Sequence, residues 1–162
     1  MKKVEIAANI AIILVAIMVG VVLVNKYFFT PKSQPLPTVP AGTKISIPDI
    51  DWAQNGRTLV MVLQKGCHFC SESSTFYQRL IPEASRKNIQ VVAVFPHSVE
   101  TGKKYLDDLK VPIDNLRNIP FDTIGVQGTP TLLLVNNDGK VTASWRGKLP
   151  SEKESEVLNS FR

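Results

Sequence analysis

Residues 59–70 read Leu-Val-Met-Val-Leu-Gln-Lys-Gly-Cys-His-Phe-Cys, an apolar run that leads into the only two cysteines of the 162-residue chain. A disulfide between Cys67 and Cys70 closes too small a loop to restrict the unfolded chain much, so a purely structural bridge is not the expected role. The run predicts a strand and the cysteines open a helix, whose positive end stabilises the Cys67 thiolate and lowers the pKa of that thiol. Cys70, one turn on, faces the same way and can attack a mixed disulfide formed at Cys67. The pair therefore predicts redox exchange, with Cys67 as nucleophile and Cys70 as resolving thiol.

Other uses of this cysteine pair fit the sequence less well. A structural zinc site needs about four ligands, and His68 and His97 are the only further nitrogen or sulfur candidates of the kind zinc prefers. A c-type haem site requires histidine directly after the second cysteine, where this chain has Ser71. Two ordinary buried thiols remain an alternative, but a close pair at a strand-to-helix junction is not typical of them. We therefore expect no metal and no organic cofactor.

The N-terminal segment predicts a membrane anchor. Residues 10–24 are all apolar or glycine, and extending the run back to residue 6 admits only Asn9 as a polar interruption. About 19 such residues are enough to cross the hydrocarbon core as a helix, so residues 6–24 are expected to contact the lipid bilayer. Two lysines precede the run and one follows closely, which favours a cytoplasmic N-terminus. Residues 1–29 are thus predicted to be a cytoplasmic N-terminus and transmembrane helix.

A cleaved signal peptide is the competing interpretation of this segment, since a basic start and an apolar stretch serve both purposes. The run is long for a signal core, and no small-residue cleavage site of the A-x-A type follows it. A retained anchor is favoured. The expected location is the cell membrane, single-pass, with the catalytic domain on the extracytoplasmic, periplasmic side.

A proline-rich segment separates the predicted anchor from the rest. Residues 30–42 contain four of the chain's 11 prolines, which is typical of an extended, semi-rigid linker. Residues 43–162 then have the length of one domain with its own core. The formal net charge is +5 for the whole chain, and no basic run is present, so a nucleic-acid partner is not expected.

Periodicity gives a coarse order of elements within this domain. Thr58–Leu63 and Ile89–Phe95 are apolar runs of strand length, as in the buried centre of a parallel sheet. Between them, His68–Lys87 reads as helical, and Pro82 is expected to kink that helix or end it near Ile81.

Further along the chain, the sequence predicts three more elements and a fold class. They are a helix capped by Ser98 or Thr101, a hairpin of Thr131–Val135 and Lys140–Trp145 around Asn136-Asn137-Asp138-Gly139, and a C-terminal helix with a Ser151/Glu154 capping box. The order β-α-β-α-β-β-α indicates an α/β fold with a mixed central sheet covered on both faces.

A known family shares this arrangement. A strand leading into C-x-x-C, a following βα unit, and Gly128-Thr129-Pro130 before a hairpin and a terminal helix resemble the thioredoxin fold. Together with the anchor and linker, the chain resembles membrane-anchored extracytoplasmic thiol-disulfide oxidoreductases, including those that serve cytochrome c maturation. The resemblance covers about Ala41–Phe161. It implies a thioredoxin-like three-layer fold, preceded here by one N-terminal transmembrane helix.

The resemblance also implies roles for residues around the cysteines. In the family, the proline at Pro130 is cis and lies against the disulfide, so that the backbone of Thr129 can pair with an extended substrate; an ordinary trans proline is the alternative. Phe69 is expected to contact substrate. His68 is either a residue that tunes the redox pair or an exposed neutral imidazole. Met61 stands where the family often has a buried acid that assists proton transfer, and it cannot relay a proton.

The function predicted from the sequence is disulfide exchange with extracytoplasmic client proteins, with reduction as the expected direction. A membrane redox partner would recycle the cysteine pair. Two other classes stay open: a redox-inactive, thioredoxin-like module that binds peptides as a chaperone, and a thiol peroxidase that passes through a sulfenic acid. Neither the clients nor the oligomeric state follow from the sequence.

Overall fold

The computed structural model describes residues 12–23 and 38–162. Residues 12–23 form a helix, α1. Within the two described ranges, no helix is both long enough and apolar enough to cross a membrane. The predicted anchor at residues 6–24 extends beyond α1 on both sides, and most of the predicted linker also lies outside the described residues, so both stay predictions.

The remaining elements form one α/β domain. In chain order they are α2 (Trp52–Asn55), β1 (Thr58–Val62), α3 (His68–Glu72), α4 (Ser74–Arg86), β2 (Gln90–Phe95), α5 (Val99–Asp108), β3 (Leu116–Asn118), a 3-10 turn (Phe121–Ile124), β4 (Thr131–Val135), β5 (Val141–Arg146) and α6 (Ser151–Asn159). The strands make a five-stranded sheet in the order β3-β2-β1-β4-β5. β1, β2 and β3 are parallel, whereas β4 is antiparallel to both β1 and β5. The predicted α/β fold with a mixed sheet is confirmed.

Alternate residues of the strands face two separate cores, as the period of a strand requires. On β1, Leu59 and Met61 face a core shared with buried side chains of α4, α5 and α6. Val60 and Val62 face a second core. Irregular segments cover that second face and contribute Val39, Ile45, Ile47, Ile119, Ile124 and Val126. Both faces of the sheet are buried, but α4, α5 and α6 all pack on the same face. The layer on the other face therefore consists of loops and short turns.

Helix α5 lies very close to the sheet at Gly102. A Cβ atom at this position would lie 2.9 Å from Phe95 Cδ2 and 3.2 Å from Leu116 Cδ2. Both neighbours are buried, at 1% and 5% exposure, so neither can withdraw easily. The missing side chain of Gly102 therefore allows α5 to pack directly on β2 and β3.

The helix after the cysteines differs from the prediction, because it breaks at Ser73 and continues through Pro82 to Arg86. Ser73 leaves helical geometry with φ −87° and ψ 0°, and its hydroxyl donates a hydrogen bond of 2.7 Å to the carbonyl of Phe69. Such a local bond competes with the regular helical pattern. Further along, α4 buries Phe76, Tyr77, Leu80, Ile81 and Ala84. This packing outweighs the loss of one backbone hydrogen bond at Pro82.

The start of the last helix also differs from the prediction. Ser151 is the first residue of α6, and Pro150 occupies the N-cap position without a side-chain hydrogen bond. The carbonyl of Pro150 accepts hydrogen bonds of 2.9 Å from the amides of both Lys153 and Glu154. No capping box forms, and the Glu154 carboxylate instead pairs with Arg79 on α4 at 2.5 Å. The predicted cap of α5 is present, since the Ser98 hydroxyl accepts from an amide in the first turn.

Candidate active site

The two cysteines lie where β1 passes into the short helix α3. Cys67 is the N-cap residue of α3 and Cys70 belongs to its first turn. They form a disulfide with their Cα atoms 5.2 Å apart. Cys67 is half-buried, whereas Cys70 is fully buried at 0% exposure. A macromolecular partner can therefore reach the sulfur of Cys67 and not that of Cys70.

A backbone hydrogen bond distinguishes the two sulfurs electrostatically. The amide of Cys70 donates to Cys67 Sγ over 3.2 Å. In the reduced protein such a donor favours the thiolate form of Cys67, because a hydrogen bond to the charged form stabilises it. Accessibility and hydrogen bonding thus both distinguish Cys67 from Cys70.

The loop before β4 contacts the disulfide from the side. The Thr129–Pro130 peptide bond is cis. The carbonyl oxygen of Thr129 lies 3.5 Å from Cys67 Sγ, and Pro130 is buried behind it. The loop is anchored by Gly147, whose amide donates to the Pro130 carbonyl over 2.7 Å. The structure thus brings Thr129 and Pro130 to the accessible sulfur.

The carboxylate of Glu72, the last residue of α3, takes part in this site. Glu72 Oε1 lies 3.0 Å from His68 Nε2, and Glu72 Oε2 lies 3.0 Å from Lys148 Nζ. The hydrogen bond from Lys148, with smaller contributions from the charges of His68 and Lys148, lowers the pKa of Glu72 below 4.5 and outweighs the opposing effect of burial. Glu72 is therefore ionised, and its negative charge lies beside His68 and Lys148.

Phe69 projects from α3 into solvent, with 52% of its surface exposed. It borders a groove with a cavity volume of about 350 Å³. We call this surface the Phe69 groove; its lining residues are Phe69, Gly128, Thr129, Arg146, Gly147 and Lys148. The groove therefore joins the predicted substrate-contacting residues Phe69 and Thr129 to the end of β5.

The surroundings of Cys70 are apolar. Met61, at 0% exposure, and Tyr77 belong to the same buried cluster as Cys70. Burial strongly raises the pKa of the Tyr77 phenol, so this group stays neutral. Among the described residues, no carboxylate is buried. A proton on Cys70 therefore has no buried carboxylate as its acceptor.

Helix α5 is joined to the active-site helix by a polar contact. The Ser71 and Tyr105 hydroxyls lie 3.2 Å apart, and the Ser71 hydroxyl also donates to the Cys67 carbonyl over 3.4 Å. Tyr105 is 9% exposed, so this contact lies largely out of solvent. It connects the position of α3 to the packing of α5 on the sheet.

Residues 12–23 and 38–162 contain no cluster of potential metal ligands, either near the cysteines or elsewhere. Over that part of the chain, no group of three or more histidine, cysteine, aspartate or glutamate side chains could hold a metal ion. The imidazole of His68 faces Glu72, and His97 lies in the loop between β2 and α5.

The chain is similar to known proteins in both sequence and fold. A family model described as a thioredoxin-like domain matches residues 52–162. No curated protein matches the chain. The solved structures of similar fold include the thioredoxin domain of a thiol-disulfide oxidoreductase from Bacteroides vulgatus, with 17% identity and a TM-score of 0.54 over 78% of this chain and 98% of that one.

Two further structures show the same similarity. One is a secreted thiol-disulfide isomerase from Corynebacterium glutamicum, with 14% identity and a TM-score of 0.57 over 83% of this chain and 95% of that one. The other is a thiol:disulfide interchange protein from Bacteroides sp., with 18% identity and a TM-score of 0.53 over 78% of this chain and 87% of that one. At these identities the similarity establishes a shared fold.

Proposed function

We propose that this chain, which belongs to the thioredoxin-like family, is a thiol-disulfide oxidoreductase that exchanges disulfides with extracytoplasmic client proteins. One arrangement of the two cysteines carries the proposal. The accessible sulfur of Cys67 accepts a hydrogen bond of 3.2 Å from the Cys70 amide and lies 3.5 Å from the Thr129 carbonyl oxygen. The sulfur of Cys70 is buried beside it. A nucleophile, a resolving thiol and the partly exposed backbone of Thr129, which an extended substrate could pair with, are thereby adjacent.

The exchange proceeds through two displacements. The Cys67 thiolate attacks one sulfur of a client disulfide, forming a mixed disulfide and releasing the other client sulfur as a thiolate. Cys70 then loses its proton and attacks the Cys67 sulfur, which forms the Cys67–Cys70 disulfide and releases the second client thiolate. Two electrons pass from the cysteine pair to the client, and the client thiolates take up protons from water.

We assign the net direction as reduction of clients. Strong stabilisation of the Cys67 thiolate would make the pair oxidising. The charge that would provide it, an imidazolium at His68, is offset by the Glu72 carboxylate at 3.0 Å. Cys70 is enclosed by apolar groups that do not favour a thiolate. Both features support a low reduction potential and hence a reductase.

The proposed location follows from the sequence. The apolar run at residues 6–24 would anchor the chain in the cell membrane by one span, with the N-terminus in the cytoplasm and residues 43–162 on the periplasmic side. Because a reductase there is oxidised at each turnover, it needs a dithiol donor in the membrane to reduce Cys67 and Cys70 again. The proline-rich linker would hold the domain away from the bilayer.

The deciding experiment is an equilibrium redox titration of the full chain in neutral detergent micelles, with thiol trapping. A two-electron transition at or below about −250 mV would support the reductase, whereas one at about −120 to −180 mV would indicate an oxidase or isomerase. The Cys70→Ser variant should accumulate a client mixed disulfide, and Cys67→Ser should form none. If no reversible transition occurs, disulfide exchange is excluded and a redox-inactive peptide-binding module becomes the better description.

A further inference from the structure

The Phe69 groove has a chemical character that the exchange reaction itself does not require. It opens beside the accessible sulfur, since it includes Thr129, whose carbonyl oxygen lies 3.5 Å from Cys67 Sγ. Any client segment that presents a cysteine sulfur to Cys67 must run along or across this surface. The side chains of the groove can therefore select among clients, an inference that rests on the proposed function.

One wall of the groove is aromatic. In residues 38–162, Phe69 and Val99 are the large hydrophobic side chains that remain exposed. Covering exposed apolar area of this kind with a partner's apolar side chain is favourable, because it removes that area from water. Phe69 also lies one residue before Cys70, so a client residue near the reacting sulfur is the one that can cover it.

The other wall is cationic, and its charges are held in place. The Arg146 guanidinium donates to the Gln127 carbonyl over 2.8 Å and packs on Gly128, where a Cβ atom would lie 2.4 Å from Arg146 Nη2, closer than any real contact allows. Lys148 Nζ is held at 3.0 Å from the Glu72 carboxylate. Holding these side chains before a client arrives reduces the entropy lost on binding.

The described residues that line the groove carry a net positive charge. Among the described residues that line it, two are cations and none carries a carboxylate. Glu72 contacts Lys148 from α3 and compensates part of the charge without being a lining residue. The groove therefore favours an anionic side chain and opposes a cationic one at the same place.

We propose that the Phe69 groove selects client segments that carry an acidic side chain close to the reacting cysteine, together with an apolar side chain that covers Phe69. The acidic group pairs with Arg146 and Lys148. The partner class is thus an extended acidic and apolar peptide segment of a protein disulfide. Because both cations are partly solvated, each charge change in a client should alter the exchange rate by about two- to fivefold.

The test uses synthetic peptides with one cysteine, blocked as a mixed disulfide with neutral 2-mercaptoethanol. Three peptides differ only at the second residue from the cysteine, which is Glu, Gln or Lys, and all carry Leu on the other side. The reduced full chain in neutral detergent micelles reacts with each peptide in single turnover, at low and high salt. Rates with dithiothreitol correct for the intrinsic reactivity of each peptide.

The expected order of corrected rate constants is Glu, then Gln, then Lys, with steps of about two- to fivefold that shrink at high salt. Lys148→Gln and Arg146→Gln should each reduce the preference for Glu. Lys65→Gln is the matched control: it removes one charge two residues before Cys67, but Lys65 lines a different cavity, together with Glu100 and Lys104. It should keep the preference.

Three results would overturn the inference. Equal corrected rates for all three peptides would exclude charge selection while leaving disulfide exchange intact. A preference for Glu that survives in both groove variants would show that it originates elsewhere on the protein. Failure to reduce any of the peptides would count against the proposed function itself, and the inference would fall with it.

Discussion

Replacing Met61 by glutamate tests whether the apolar surroundings of Cys70 limit the resolving step. Met61 is 0% exposed and belongs to the buried cluster that contains Cys70. Met and Glu have similar lengths, so little cavity is created, and the main cost is a buried polar group without a partner, about 1–3 kcal/mol. The matched control is Met61→Gln, which carries the same cost and cannot act as a base.

The expected result is a faster second step in the Glu variant alone. A buried carboxyl has a raised pKa, and only its ionised form can accept the Cys70 proton. Relative to Met61→Gln, resolution should therefore accelerate as pH rises through that raised pKa, by about 10²-fold if the base acts as such groups usually do. Over the same pH range, the Glu variant should lose stability, because its folded state favours the protonated carboxyl.

The assay follows the reduced protein mixed with Ellman's reagent in a stopped-flow instrument. The first coloured thiolate reports attack by Cys67 and the second reports resolution by Cys70. Denaturant unfolding of both variants checks that their stability losses agree below the carboxyl pKa. Equal resolution rates in the Glu and Gln variants across the pH range would refute the reasoning that an absent base at Met61 matters.

Three further predictions concern packing and charge around the site. Gly102→Ala should destabilise the domain by about 1 kcal/mol in urea unfolding, because overpacking against Phe95 exceeds the gain in helix propensity; an equal or higher midpoint would contradict the close approach of α5. Tyr105→Phe should cost about 0.5–1.5 kcal/mol by losing the hydroxyl contact with Ser71, measured by the same unfolding, and Ser71→Ala should cost less when added to Tyr105→Phe than it does alone, because the two share that contact. Glu72→Gln should raise the reduction potential, because positive charge near Cys67 is no longer offset. The lowered pKa of Glu72 stabilises the wild type above the ordinary value of 4.5, and this advantage over Glu72→Gln should disappear in unfolding measurements as pH falls through the lowered value.

Local sequence signals accounted for much of the fold because the central strands are buried on both faces. The apolar run at Leu59–Leu63 predicted a strand, and β1 occupies Thr58–Val62. The turn residues Asn136–Gly139 correctly placed the hairpin of β4 and β5. In these segments, propensity, pattern and tertiary packing agree, so that a short window of sequence is sufficient.

Elements that depend on a neighbour could not be predicted in this way. Strand β3 has only three residues, Leu116–Asn118, and exists because it pairs with Ala93–Phe95 of β2. Its sequence alternates too briefly to show a period. The break at Ser73 and the continuation through Pro82 likewise depend on side-chain contacts and core packing that propensity does not include.

In the candidate site too, contacts between near neighbours in sequence are predictable, whereas contacts between distant residues are not. The Glu72–His68 pair has the i,i+4 spacing of helical neighbours, so a sequence signal for it existed. Lys148 comes 76 residues after Glu72, and no local pattern connects them. The sequence therefore indicates the contact of Glu72 with His68, but not its contact with Lys148 in the Phe69 groove.

The cysteine pair and the Phe69 groove depend on different parts of the chain, so substitutions can affect them separately. The difference in exposure and hydrogen bonding between Cys67 and Cys70 arises from their three-residue spacing at a helix start. The Cys67 sulfur accepts a hydrogen bond from the Cys70 amide, and the Cys70 sulfur enters the core. Both features depend on local backbone geometry and not on the side chains of the Phe69 groove. The client selection proposed above instead depends on Arg146 and Lys148, at and beyond the end of β5. On that proposal, substitutions there would alter which disulfides are exchanged, while the backbone hydrogen bond from the Cys70 amide to Cys67 Sγ would stay in place.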